Sequence, residues 1–114
     1  MAVNVFCNNP QMLLREIKAA IKEGHVDTWS VDDDGDFTHS PDQWKFKAWM
    51  RPKALDDRLV FNILCRRGET LSRVVYGVYH GRFIEMMLNH FDEKFTRASA
   101  SALPAPGDVI TANA

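Results

Sequence analysis

Apolar and polar residues alternate most clearly between Gln43 and Arg66. Within Gln43–Arg51, Trp44, Phe46, Ala48 and Met50 share one parity, and Lys45, Lys47, Trp49 and Arg51 share the other. A period of two marks a strand with one face packed and one face wet. Arg58–Arg66 alternates again, but Leu59, Phe61, Ile63 and Cys65 are interleaved with Val60, Asn62 and Leu64. Both of its faces are fairly apolar, as expected of a central strand with some cover on each side. Pro52–Asp57 reads as the loop between the two strands.

The remaining elements follow in chain order. Asn9-Pro10 is a helix start, with Asn as cap and Pro at the first position, where its missing N–H costs nothing. Leu13, Ile17, Ala20 and Ile21 recur at helical spacing, and Gly24 is the natural stop, so a helix is expected over Pro10–Glu23. Val26–Asp32 and Asp36–His39 (or Ser40) read as two strands of a hairpin. A three-residue Asp33-Asp34-Gly35 loop pairs Asp32 with Asp36, Val31 with Phe37 and Trp29 with His39. That register gathers the apolar residues on one face and puts Gly35 in the left-handed region. Ser40-Pro41-Asp42 is a turn, and Arg67-Gly68 another. Leu71–His80 fits either period. Val74, Tyr76 and Val78 alternate, whereas Leu71, Val74, Val75 and Val78 suit a helix; Gly77 and the β-branched valines favour a strand. Arg82–Phe95 is expected to be an amphipathic helix, with Phe83, Met86, Met87, His90, Phe91 and Phe95 on one face.

Together these elements predict an α+β domain over residues 1–97. It has an N-terminal helix, a four- to five-stranded antiparallel meander sheet and a C-terminal helix, with both helices on one face. Residues 98–114 are small, Pro-containing and nearly uncharged, and are expected to form a flexible tail.

Composition narrows the class without identifying a function. At 114 residues with 46% hydrophobic and 25% charged residues, the chain suits one soluble domain. A net charge of −1 argues against a surface that is uniformly attractive to nucleic acid or membrane. No apolar run reaches a membrane span, and the first ten residues lack the basic start of a secretory leader. Cys7 and Cys65 are expected to be ordinary thiols in a reducing compartment, so a cytoplasmic location is the default.

The charge is segregated. Val26–Asp42 holds six acids and no Lys or Arg, whereas Gln43–Arg73 holds eight Lys or Arg against three acids. Tested as a calcium loop with Gly35 at position 6, the acidic run offers Ser30 at position 1 and Pro41 at position 12, which lacks the bidentate glutamate. A solvated hairpin tip is the better expectation. His25, His39, His80 and His90 are spread too widely to suggest a zinc site, and no cofactor-binding fingerprint is present. His80, Arg82 and Glu85 are the best acid–base set, but a strand-to-helix corner accounts for them equally. The sharper feature is the wet parity of the Gln43 strand. Lys45, Lys47, Trp49 and Arg51, with Arg66 and Arg73 nearby, would form a basic surface around an outward indole. Trp and Arg are typical interface anchors. The expectation is therefore a non-catalytic protein that binds a partner protein, or a second copy of itself, without cofactor or metal. Single-stranded nucleic acid, stacking a base on Trp49, is the alternative.

Overall fold

The structure is a computed structural model and describes residues 2–111. Eight elements follow one another: β1 (Ala2–Phe6), α1 (Pro10–Lys22), β2 (Trp29–Val31), β3 (Phe37–His39), β4 (Ala48–Ala54), β5 (Arg58–Cys65), α2 (Arg73–Phe91) and β6 (Arg97–Ala100). The strands form one sheet in the order β2-β3-β4-β5-β1-β6, and every strand pair is antiparallel. The protein is thus α+β with an antiparallel sheet of six strands rather than four or five.

Several elements form for the reasons visible in the chain. The Asn9 side chain accepts the Met12 N–H at 3.2 Å, Pro10 opens α1, and Gly24 closes it at φ +83°. The β2–β3 hairpin has the three-residue loop: Trp29 lies opposite His39 and Val31 opposite Phe37, with Gly35 at φ +85°. Asp32 Oδ1 accepts the N–H groups of Asp34 and Asp36 at 3.0 and 2.9 Å, which closes the tip.

Four features differ from the sequence reading. The first is β1, where Val3 and Val5 are buried and the strand pairs with β5 on one side and β6 on the other. The alternation that would have revealed it spans only five residues.

The second is the Gln43 strand, which begins at Ala48 and continues through Pro52 to Ala54. Trp44 and Lys45 both donate to the Pro41 carbonyl, at 2.8 and 2.9 Å, so residues 41–47 curl into a turn. Pro52 is tolerated because of its position. Phe61 opposite it directs its backbone groups toward β1, and β3–β4 pairing ends at Met50. The N–H that Pro52 lacks would point to where β3 has already stopped.

The third is Leu71–His80, which is largely helical. The Ser72 hydroxyl accepts the Val75 N–H at 3.1 Å, and Arg73 opens a helix of 19 residues that runs through Gly77 and Gly81. Tyr79, Phe83, Met86 and Met87 continue one buried stripe. A stripe of that length outweighs the strand preference of three valines. The fourth is the segment expected to be a tail. It contributes β6, and Val109 then bridges β5 at Leu64, along the edge beyond the end of β1. Val109 donates to the Ile63 carbonyl and accepts from Cys65, at 2.9 and 2.7 Å.

The core is one cluster. Leu13 and Ile17 of α1 and Tyr79, Phe83, Met86, Met87 and Phe91 of α2 join Val3, Val5, Phe37, Met50, Leu59, Phe61 and Ile63. Phe83 is its hub, with ring centroids 4.4 Å from Phe61, 5.1 Å from Trp29 and 5.7 Å from Phe37. Cys7 and Cys65 are free and buried. Phe6 lies opposite Arg58, so the two thiols flank opposite ends of β5, roughly 20 Å apart at the rise of a strand. That separation excludes a disulfide between them.

Candidate functional site

The strand parity of β4 turns Ala48 and Met50 into the core and leaves Trp49 half-buried on the other side, with Arg51 exposed there. Trp49 lies opposite Leu64 of β5, which is also half-buried. The indole is therefore on the outer face of the sheet, as its position in the alternation predicts.

Beside it stands a residue that the alternation assigned to the core. Phe46 is 52% exposed and stacks on Trp49, with ring centroids 6.5 Å apart and planes tilted by 25°. Its φ of +60° is in the left-handed region, where a residue with a Cβ pays about 1–2 kcal/mol. Buried hydroxyls hold that conformation in place. Thr38 Oγ1 accepts the Phe46 N–H at 3.3 Å and donates to the Ala48 carbonyl at 2.9 Å. Tyr79, from α2, lies 3.1 Å from the same hydroxyl and donates to the Trp44 carbonyl. The 41–47 turn is thereby fastened to β3 and α2, and it presents Phe46 outward. Lys45 Nζ lies 5.8 Å from the centre of the Phe46 ring, within cation–π range, and 3.7 Å from Asp42.

The five cations and the indole of the sequence reading do not form one patch. Arg51 is engaged by Asp36, whose carboxylate it grips bidentately at 3.0 and 2.8 Å. The Asp36 side chain is almost fully buried. This bonding raises the Arg51 pKa above its ordinary value, mainly through the Asp36 hydrogen bonds. Lys47 and Arg66 come together across a cleft of about 200 Å³ that also includes Cys65, Glu69 and Thr70. Arg73 lies on the rim of a second cleft, of about 540 Å³, walled by Tyr76, Leu103, Pro104 and Ile110. The two clefts share Leu71 and Ser72. The structure thus brings Phe46, Trp49 and Lys45 together, and Lys47 and Arg66 meet at the smaller cleft. Phe46 was hidden from a parity argument because the strand starts two residues after it.

The other sets of polar residues are used within the fold. Carboxylate oxygens of Asp32, Asp34 and Asp36 lie within 4.8 Å of one another, but Arg51 holds both oxygens of Asp36. A cation there would have to displace a guanidinium. His80 is buried, and its Nδ1 donates to the Tyr76 carbonyl at 2.7 Å, while Arg82 and Glu85 pair with each other in solvent at 3.3 Å. The three do not converge on a common point. His39 Nδ1 donates to the Thr28 carbonyl at 2.8 Å, and its ring packs 4.7 Å from Trp29. Burial lowers its pKa below the usual imidazole value. Burial raises that of the Cys7 thiol.

No helix among the described residues is long and apolar enough to cross a membrane. No protein-family model, curated protein or solved structure matches this chain. The chain is α+β with an antiparallel sheet, and Phe46 and Trp49 stack on each other beside Lys45.

Proposed function

We propose that this chain is a non-catalytic interaction protein that docks a partner protein through Phe46 and Trp49, flanked by Lys45, Lys47 and Arg66. In this reading both helices cover the other face of the sheet, leaving this one open to the partner. The observation that carries it is Phe46. A residue with a Cβ is held at positive φ by buried hydrogen bonds, and the outcome is a large ring turned toward solvent. Such strain costs stability while about half of the ring it places stays exposed, so part of its return is expected on binding. Burying a Phe side chain is worth about 1.5–3 kcal/mol. The adjoining cations select a partner with acidic groups around an apolar contact. The buried free thiols of Cys7 and Cys65 fit work in a reducing, cytoplasmic setting.

Substituting Trp49→Ala together with Lys47→Glu removes the indole and reverses one flanking charge at sites away from the core. The expected outcome is a chain that still folds cooperatively, with a modestly lowered unfolding midpoint, and loss of the proteins captured by the wild-type chain. An identical captured set would remove the proposal. A second reading is favoured by the ring pair itself, because two roughly parallel aromatic faces beside lysines are also a platform for nucleobases. A salt titration against a labelled single-stranded oligonucleotide decides it. Phosphate contacts make affinity fall steeply with salt, and no binding at low ionic strength eliminates nucleic acid.

A further inference from the structure

The registers place much of the segregated charge at opposite ends of the sheet. Phe37 lies opposite Met50, and β3 runs antiparallel to β4, so the Asp32–Asp36 tip lies alongside the Arg51–Ala54 end of β4. Ala54 lies opposite Leu59, which brings the loop carrying Asp56 and Asp57 to that same end. Ala48 lies opposite Cys65 at the other end, so Lys45, Lys47, Arg66 and Arg67 gather there, next to Phe46 and Trp49. Arg73 opens α2 a few residues on, and the positive end of the helix dipole adds to the same field. Seven strand residues separate the ends, about 20 Å at the rise of a strand. The Debye length at physiological salt is about 8 Å, so the two ends of one copy cannot neutralise each other. Among the described residues, Lys47, Arg66, Arg67, Asp32, Asp33, Asp34 and Asp56 form no ion pair. Arg51 on Asp36, Arg58 on Asp57, Lys53 at the same end of β4 and Lys18, whose Nζ would lie 3.1 Å from a Cβ on Gly35, offset part of the acidic end, and among the described residues Asp32, Asp33, Asp34 and Asp56 are the acids left without an ion pair there.

We propose that the occupant of the basic, aromatic end is the acidic end of a second copy of this chain. This deepens the docking reading and rests on it. The complementarity is between two different patches, so the contact is head-to-tail, and successive copies build a ring or an open row rather than a two-fold dimer. Asp33 and Asp34 of one copy meet Lys47 and Arg66 of the next, beside the Phe46–Trp49 rings. Asp32 is left out of the test because its carboxylate holds the turn.

The experiment is sedimentation equilibrium of the full chain over a range of concentration and salt, with two neutralising variants. Wild-type protein should associate more tightly as ionic strength falls. Asp33→Asn with Asp34→Asn, and Lys47→Gln with Arg66→Gln, should each weaken self-association by about tenfold or more. Mixing the two variants should restore one contact and yield a 1:1 dimer that grows no further, because each retains a different working end. Wild-type protein that stays monomeric at low ionic strength, association that neither variant weakens, or a mixture that stays monomeric would overturn the proposal. A monomeric chain that still captures partners in a Trp49-dependent manner would spare the docking reading and exclude only the second copy as its occupant. Loss of both effects would end both.

Discussion

Thr38 is the residue on which the exposed ring pair depends. Its hydroxyl is buried and joins the Phe46 N–H, the Ala48 carbonyl and the Tyr79 hydroxyl at one point. Thr38→Val keeps the shape and removes the polar atom, which orphans the Phe46 N–H and the Ala48 carbonyl. Leaving one buried polar group unpaired costs about 1–3 kcal/mol, and two are orphaned, so urea unfolding should show a loss of at least about 1–3 kcal/mol. A loss below about 0.5 kcal/mol would mean that the turn is held by something else. His39 gives the second residue-scale prediction. Its pKa is lowered in the fold by burial, so below the ordinary imidazole value of about 6.5 the unfolded chain binds more protons than the native one. The stabilising preference for neutral His39 is fully present above pH ~6.5 and is lost as pH falls through that value toward the lower folded pKa. Unfolding midpoints should therefore decline on acidification from neutrality, and His39→Gln should flatten that decline. Equal slopes for both proteins would refute the assignment. The indole of Trp49 could be placed from strand parity alone. Phe46 could not, since its orientation is decided by a hydroxyl eight residues earlier and another more than thirty residues later.

At the scale of elements, legibility follows how local the determining interactions are. α1 is delimited by its own cap, proline and glycine, and the β2–β3 register by its own loop, so both could be read from a few neighbouring residues. The start of α2 was misread because two signals conflict within ten residues. Val74, Val75, Val78 and Gly77 favour extension, and the helix wins through contacts of Tyr79 and Phe83 with strands distant in sequence. The conflict leaves a residue that can be tested. Gly77 sits inside α2, and a Cβ there would meet nothing within 4 Å. Gly77→Ala should therefore stabilise the protein by about 0.5–1 kcal/mol, through helix propensity and a less flexible unfolded chain. Thermal and urea unfolding would both report it. Had this segment been a strand, the same change would have been neutral or harmful, so a destabilised variant counts against the helix.

At the scale of the molecule, the C-terminal stretch ties β5 to Leu71, just before α2. The described β1–β5 pairing runs from Phe6–Arg58 to Ala2–Asn62, and the backbone groups of Ile63 and Cys65 bond to residues 108 and 109. The chain from Ala105 to Thr111 carries these partners. Asp108 Oδ1 accepts the Ile63 N–H at 3.1 Å and the Asn62 amide at 2.7 Å, and its other oxygen accepts the Ala105 N–H at 2.8 Å. Gly107 passes so close to Asn62 that a Cβ on it would lie 2.9 Å from the side-chain oxygen. Ile110 accepts the Leu71 N–H at 2.7 Å and lines the cleft beneath Leu103. Composition alone had suggested a flexible tail, because small uncharged residues carry little hydrophobic signal. What ties the segment down is backbone pairing with β5, which side-chain pattern does not encode. Amide hydrogen exchange separates the two descriptions. A docked segment protects the Cys65 and Leu71 amides nearly as well as those inside β5, because each donates to a carbonyl of residues 109–110. Asp108→Ala should release both together and raise their exchange by about tenfold or more, the equivalent of about 1.4 kcal/mol, while the Val5 and Leu59 amides of the β1–β5 pairing stay slow. If Cys65 and Leu71 already exchange at the rate of an open chain in the unaltered protein, the edge is unpaired in solution and residues 105–111 are a tail after all.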